Sequence, residues 1–373
     1  MSSTPALVDV DDVRAGVDQR LAEHLEALRR EVAPVDADCD RLVDSLAEIL
    51  SGGKRLRAAF CYWSWRAHTP GTDGSPAGAA TRDAVLRMGA ALELFQAAAL
   101  LHDDVMDSSD TRRGRPAAHR AYATLHRERG WSGPPDRFGE SAAILLGDLA
   151  LIASEREAAD ALEQVDRAVR RRTRGVFDLM RTEVTAGQYL DVLAQSVPWG
   201  EDPVADEARA RAVIRAKSAR YSVEHPVTLG AALAGADDDA LAACRAIGLP
   251  LGEAFQLRDD LLGVFGDPRA TGKPAGDDLR EGKRTVLVVR ALHHGAPADS
   301  AMVRDALGRQ DLDDDAVAEI RGALVRSGAV RQVEALIGEL AGPAMARLAA
   351  ADLAEPGRSM LGRLAAAAVD RHA

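Results

Sequence analysis

Two pairs of adjacent aspartates interrupt runs that otherwise read as buried helix. The first lies in Leu100-Leu101-His102-Asp103-Asp104-Val105-Met106-Asp107, at the end of the apolar run Gly89–Leu101. The second, in Gln256-Leu257-Arg258-Asp259-Asp260-Leu261-Leu262-Gly263, comes about 150 residues downstream. Asp103 and Asp107 are one helical turn apart, so their carboxylates share a face, and stepping back by four and three places Ala99 and Gln96 on the same stripe. Like charges on one face repel unless a cation neutralises them, and one such pair alone could be a solvated helix end. Two pairs, each on a core-like helix, suggest facing walls of a cavity that holds hard cations. Mg²⁺ favours a few carboxylates together with waters and substrate phosphates, so the pattern points to a phosphate-bearing ligand bridged by metal.

The rest of the chain supports a helical frame. Ala, Leu, Arg and Glu dominate, with apolar residues at three- and four-residue steps. Val10-Val13-Val17-Leu21-Leu25-Leu28 is one stripe. The spacing predicts helices over 41–50, 55–66, 79–107, 141–158, 162–195, 205–219 and 238–265, with more beyond 285. Gly/Pro clusters at 70–78, 130–139, 198–203 and 268–276 mark the breaks. Val286–Val289 could be a short buried strand, but its flanks read as helix. The expected architecture is all-α and single-domain, with a peripheral helical extension over 1–35 and the main domain over 36–373.

A net charge of −11 argues against general nucleic-acid binding, which needs excess cation. The three cysteines, Cys39, Cys61 and Cys244, have neither disulfide-framework nor metal-ligand spacing. No basic segment followed by an apolar run opens the chain, and Gly89–Leu101 is too short to span a bilayer, so no transmembrane segment and a cytoplasmic location are expected.

Cations follow each acid pair. Arg112-Arg113-Gly114-Arg115 lies just past Asp107; Lys273 and Lys283 follow Asp260 in glycine-containing loops. Gly52-Gly53-Lys54-Arg55-Leu56-Arg57 opens another helix, with Lys54 and Arg57 on one face. It lacks the Gly-Lys-Ser/Thr of a Walker loop. Each basic group alone fits a solvated surface. Acid pair followed by basic loop, occurring twice, fits a site for anions held beside metal.

Taken together these segments resemble the trans-type polyprenyl diphosphate synthases. The resemblance rests on Asp103-Asp104-Val105-Met106-Asp107 followed by Arg112-Arg113-Gly114, on the Gly-Gly-Lys-Arg segment at 52–57, and on Gly147-Asp148. It extends through Gly187-Gln188-Tyr189-Leu190-Asp191, Lys217-Ser218-Ala219-Arg220-Tyr221, Gln256–Asp260, and the lysines at 273 and 283, in order over about residues 40–295. It implies a helical bundle around a deep central cavity, and a homodimer. It implies that Asp103, Asp107 and Asp259 hold Mg²⁺, about three ions per site, against an allylic diphosphate, with Asp104 and Asp260 supporting. Arg112, Lys217, Lys273 and Lys283 would contact that diphosphate, assisted by Ser218 and Gln256. Lys54, Arg57, Gln96 and Arg113 would hold isopentenyl diphosphate. His102 and His119 are given structural or supporting roles.

Two departures from the family pattern stand out. Gly263 occupies the place where many members carry a third aspartate, and Gln96 stands where others have histidine; either side chain can donate to a diphosphate. Chain length turns on Ala98 and Ala99, where bulky residues close the cavity floor in members that stop at fifteen carbons. Leu94 and Phe95 would form the next barrier, Phe95 lying about 12 Å along the axis from Asp103 at helical rise. The resemblance therefore implies geranylgeranyl diphosphate, C20, as product, with farnesyl or longer chains as alternatives. A class I terpene cyclase shares the first motif, but its second metal motif begins with asparagine, and this chain has no Asn. A non-catalytic regulatory subunit would be expected to have lost aspartates that are intact here.

Overall fold

The computed structural model describes residues 10–69, 80–267 and 276–370. The break expected at 70–78, and all but Gly276 of the one expected at 268–276, Lys273 included, lie outside the described residues.

Helix α4 (Arg82–Met106) is the central element. Thr81 starts it by accepting a hydrogen bond from the Ala84 amide at 3.2 Å, meeting one of the donors every helix start leaves open. Most of its residues from Ala84 to Leu101 are buried. α6 (Pro135–Glu163) runs along it, and α1 (Val13–Val32), α2 (Asp40–Leu50) and α3 (Leu56–Ala67) cover its other flanks. α7 (Arg167–Ser196), α8 (Pro203–Val213), a π-helical segment over Ile214–Glu224, α9 (His225–Leu233) and α10 (Asp238–Phe265) complete the wall facing α4. Beyond them come α11 (Asp277–Arg280), α12 (Val286–His294), α13 (Pro297–Ala306), α14 (Asp314–Arg326), α15 (Ala329–Ala350) and α16 (Gly357–Val369). α5 (Ala118–Glu128) lies against α6. The all-helical expectation holds. By length and composition α4 could cross a membrane, but 78% of its apolar window is buried in this bundle.

Several expectations need correction. The N-terminal helix is not peripheral. Val13, Val17, Leu21 and Leu28 belong to the main core, and a methyl carbon of Val17 lies 3.1 Å from where a Cβ on Gly89 of α4 would stand. α6 begins at Pro135, inside the expected break at 130–139, because proline is tolerated in a first turn that needs no amide donor. The run expected over 162–195 is cut at Gln164–Asp166, where Asp166 caps α7 through the Ala168 and Val169 amides, both at 2.9 Å. Val286–Val289 is helical, capped by Thr285.

Two features had no sequence signal in this reading. Thr111–Arg112 and Arg115–Pro116 pair as a minimal antiparallel hairpin whose turn residues, Arg113 and Gly114, both have positive φ, 53° and 73°. The helix expected over 205–219 becomes π-helical from Ile214 to Glu224. Pro226 follows it and has no amide to bond back along the ladder, a defect that a widened preceding turn accommodates. Gly187 of α7 permits that segment to approach: a Cβ there would lie 2.4 Å from the Lys217 amide nitrogen.

Candidate active site

The C-terminal end of α4 carries the first acid cluster. Asp103 and Asp107 face the wall made by α7 and the π-helix. Gln188 Nε2 donates to Asp103 Oδ1 at 2.8 Å, and Lys217 Nζ donates to the same oxygen at 2.8 Å and to Asp191 Oδ2 at 2.6 Å. Carboxylate oxygens of Asp103, Asp107 and Asp191 all lie within 4.8 Å of one another. Asp104 turns the other way and is buried, accepting from Arg112 Nε at 2.8 Å; Arg112 also stands 3.8 Å from Asp103. His102 packs on α6, its Nε2 3.2 Å from the Ile144 carbonyl oxygen, in keeping with a structural role.

The second cluster reaches the first through Lys283. Its Nζ is 3.4 Å from Asp107 Oδ2 and 3.8 Å from Asp278 Oδ1, and it also pairs with Glu281. Ser109 Oγ donates to Glu281 at 2.8 Å, tying the segment after Asp107 to the same loop. On α10, Asp259 is half-buried and Asp260 buried, the latter accepting from Gln256 Nε2 at 2.8 Å. Ser218 in turn donates to Gln256. Asp278 was not singled out in the sequence. Its Oδ2 lies 1.9 Å from where a Cβ on Gly263 would stand, so a carboxylate from α11 occupies the space beside the position at which the third aspartate is missing.

The electrostatics divide these acids. Burial favours protonation of Asp103, but Lys217 and Lys283, with Arg112 behind them, override it and hold the carboxyl well below the usual range. Asp107 goes the other way, pushed up to about 6 by burial and by the charge on Asp103, against the pull of Lys283 and Lys217. Its Oδ2 is buried and has no hydrogen-bond donor among the described residues. Asp260 is pushed up to about 8 by burial and then by Asp278, with Gln256 opposing. Lys217 is raised because Asp103 and Asp191 outweigh its burial. An all-oxygen acidic group with one buried carboxylate oxygen that no hydrogen bond among the described residues satisfies, faced by the Lys283 ammonium at 3.4 Å, fits a hard divalent cation.

A cationic patch lies behind the hairpin. Arg113 sits against Gly53, where a Cβ would be 3.7 Å from its Nη1. Burial lowers its pKa, and although Glu93 opposes this, Arg55, Arg112 and Arg57 push the same way. Arg57 donates to Ser222 Oγ at 2.9 Å and stacks 4.1 Å over the Tyr221 ring, yet its buried Nε has no partner among the described residues. Lys54 is exposed on the loop between α2 and α3, and Gln96 is half-buried on the α4 stripe that ends at Asp103. Like-charged guanidinium groups gathered with one acid make a receptor for an anion. Of the residues expected to form the floor, Leu94, Phe95 and Ala98 are buried and Ala99 half-buried, with Phe95 meeting Tyr221 edge-on at 5.5 Å.

A family model for polyprenyl synthetases matches residues 39–324. The chain belongs to the polyprenyl synthetase family. It is 31% identical over 296 residues to a geranylfarnesyl diphosphate synthase of Aeropyrum pernix, covering 78% of this chain and 81% of that protein. It is 38% identical over 250 residues to a geranylgeranyl diphosphate synthase of Mycobacterium tuberculosis, covering 66% of this chain and 61% of that protein. A crystal structure of geranylgeranyl pyrophosphate synthase from Corynebacterium glutamicum, complexed with isoprenyl diphosphate and magnesium, superposes with a TM-score of 0.89 at 38% identity, over 98% of this chain and all of that one. This polyprenyl synthetase is therefore a prenyltransferase with the all-helical isoprenyl synthase fold.

The sequence assigns Asp191 no role of its own, because an acid on an amphipathic helix looks solvated until the fold buries it beside Lys217. Asp278 and Glu93 stand out only once the fold brings Lys283 and Arg55 to them, and Gln188 only once it meets Asp103.

Proposed function

We propose that the protein condenses isopentenyl diphosphate with an allylic diphosphate (dimethylallyl, geranyl or farnesyl) and that its main product is geranylgeranyl diphosphate. The observation that carries this is Lys283, which stands between Asp107 and Asp278 and so ties the first acidic cluster to the acid that lies beside Gly263 of the second motif.

Mg²⁺ bound by Asp103, Asp107 and Asp259 would neutralise the diphosphate as it leaves. Lys217 and Lys283, with Lys273 and Arg112, hold that diphosphate, and Gln256 and Ser218 support the second acid pair. The allylic C–O bond breaks with its electron pair going to the diphosphate, leaving an allylic cation inside apolar walls that exclude water. Lys54, Arg57, Gln96 and Arg113 hold isopentenyl diphosphate so that its double bond faces the cation and attacks its first carbon. The departed diphosphate takes the proton lost as the new double bond forms. Ala98 and Ala99 leave the floor open past fifteen carbons, and the Phe95–Tyr221 pair supports a stop near twenty.

The protein acts in the cytoplasm as a homodimer. Phe138, Leu145 and Ile152 recur at seven-residue spacing on α6 and are exposed, Leu145 at 62%, an apolar stripe of the kind an interface covers.

The test is incubation of the purified protein with isopentenyl diphosphate, Mg²⁺ and each allylic starter. The expected outcome is longer prenyl diphosphates, mainly C20. Hydrocarbon products would make it a cyclase, and no turnover would remove the assignment.

A further inference from the structure

Arg55 lies in the middle of the basic segment, yet it faces inward. Its backbone is left-handed, with φ of 50°, one residue beyond Gly52 and Gly53 at 72° and 83°. An arginine gains nothing locally from that conformation, so its side-chain contacts must hold it there. They are three. Nη2 donates to the Leu50 carbonyl oxygen at 2.5 Å, closing the loop on the end of α2. Nη1 donates to Glu93 Oε2 of α4 at 3.2 Å. Nε donates to Asp18 Oδ1 of α1 at 2.7 Å.

The loop braced in this way carries Lys54 and the Gly53 backbone on which Arg113 rests. Glu93 is buried, and its second oxygen has no partner among the described residues. It acts electrostatically on both Arg55 and Arg113. Asp18 itself comes from a helix outside the residues 39–324 that the family model matches.

We infer that α1 is part of the isopentenyl diphosphate site: Asp18 and Arg55 are positioning residues that set the Gly52–Lys54 loop and, through the Gly53 backbone, the Arg113 guanidinium that lies against it. The inference rests on the proposed assignment of Lys54, Arg57 and Arg113 to isopentenyl diphosphate.

The test uses the full chain carrying Asp18→Asn, with Asp18→Glu as the conservative control. Asp18 is 42% exposed, so the amide is tolerated sterically. Initial rates are measured with each substrate varied in turn, and isopentenyl diphosphate binding is measured by calorimetry. The expected result for Asp18→Asn is a rise of about three- to tenfold in KM and Kd for isopentenyl diphosphate, the worth of one charge-assisted hydrogen bond at a half-exposed acid. The allylic KM and kcat should stay within about twofold of wild type, and Asp18→Glu should recover most of the loss. Unchanged isopentenyl diphosphate binding overturns the inference. So does an equal loss in both substrates together with a lower Tm, which marks a structural role alone. Wild-type protein that elongates normally while Asp18→Asn is silent leaves the proposed function standing and removes only this inference. Wild-type protein that does not bind isopentenyl diphosphate removes both.

Discussion

The carboxylate of Asp278 fills the space that a side chain on Gly263 would need, its Oδ2 1.9 Å from the Cβ position. One acid from a short helix after the second pair thus stands where the helix itself offers none. Gly263→Ala must displace Asp278 and with it the 3.8 Å contact to Lys283. The expected result is a higher Mg²⁺ requirement and lower kcat, read from rates across a Mg²⁺ titration. Gly263→Asp, which restores the common third aspartate, should be worse than Gly263→Ala, because it adds charge beside Asp278 and the already neutralised Asp260.

Asp191 holds Lys217 against Asp103. Asp191→Asn keeps the shape and removes the charge, so Lys217 loses one of two anchors. A supporting residue of this kind is worth about 10- to 100-fold in activity. The loss should appear in kcat and in the allylic KM, with the isopentenyl KM nearly unchanged.

Ala99 shares a face with Asp103 and is half-buried, whereas Ala98 is fully buried. Ala99→Phe is expected to shift the main product to fewer carbons with little change in Tm. Ala98→Phe should shorten it too, at a cost of about 1–3 kcal/mol in stability from overpacking. Product analysis by chromatography after dephosphorylation reads both, and an unchanged distribution in both would remove the floor assignment.

Two acids give the pH dependence its sign. Asp107, at about 6, must be ionised to hold a cation. Below that pH the proton competes, and the Mg²⁺ concentration for half-maximal rate should climb about tenfold per pH unit. For stability, a carboxyl raised above its unfolded value stabilises the folded chain at low pH and ceases to do so as pH rises through the folded value. For Asp107 and Asp260 that window runs from about 4 to about 6 and about 8 respectively. The Tm in EDTA should therefore fall from pH 5 to pH 8.5, and the increase on adding Mg²⁺ should be larger at the alkaline end.

The α6 stripe gives a test of assembly. Leu145→Arg places a charge in the middle of the exposed apolar row Phe138, Leu145 and Ile152. Light scattering should report a dimer for the wild-type chain and a monomer for the variant.

The acid pairs were legible because adjacent charges inside an apolar run have few explanations, and their order with the basic loops carried the family. The long helices were legible from their period, and α10 was read residue for residue. What the sequence did not disclose depends on partners far along the chain. Asp18 is an unremarked acid until Arg55 turns inward to meet it. Glu93 is a single acid within the apolar run Gly89–Leu101, and its position beneath the arginines follows from the packing of α3 against α4. The start of α6 was misplaced because proline stops a helix in its interior and not at its first turn. The π-helix has no hydrophobic period of its own to announce it.

That π-helix sets Lys217 against Asp103 and Ser218 against Gln256, on the proposed allylic side, and Tyr221 and Ser222 against Arg57, on the proposed isopentenyl side. A single unbroken stretch of backbone therefore borders both ends of the reaction. A side chain changed anywhere from 217 to 222 tilts a shared floor, and kinetics of such variants will register donor and acceptor together. Residues that report on one partner alone have to be sought on the helices to either side.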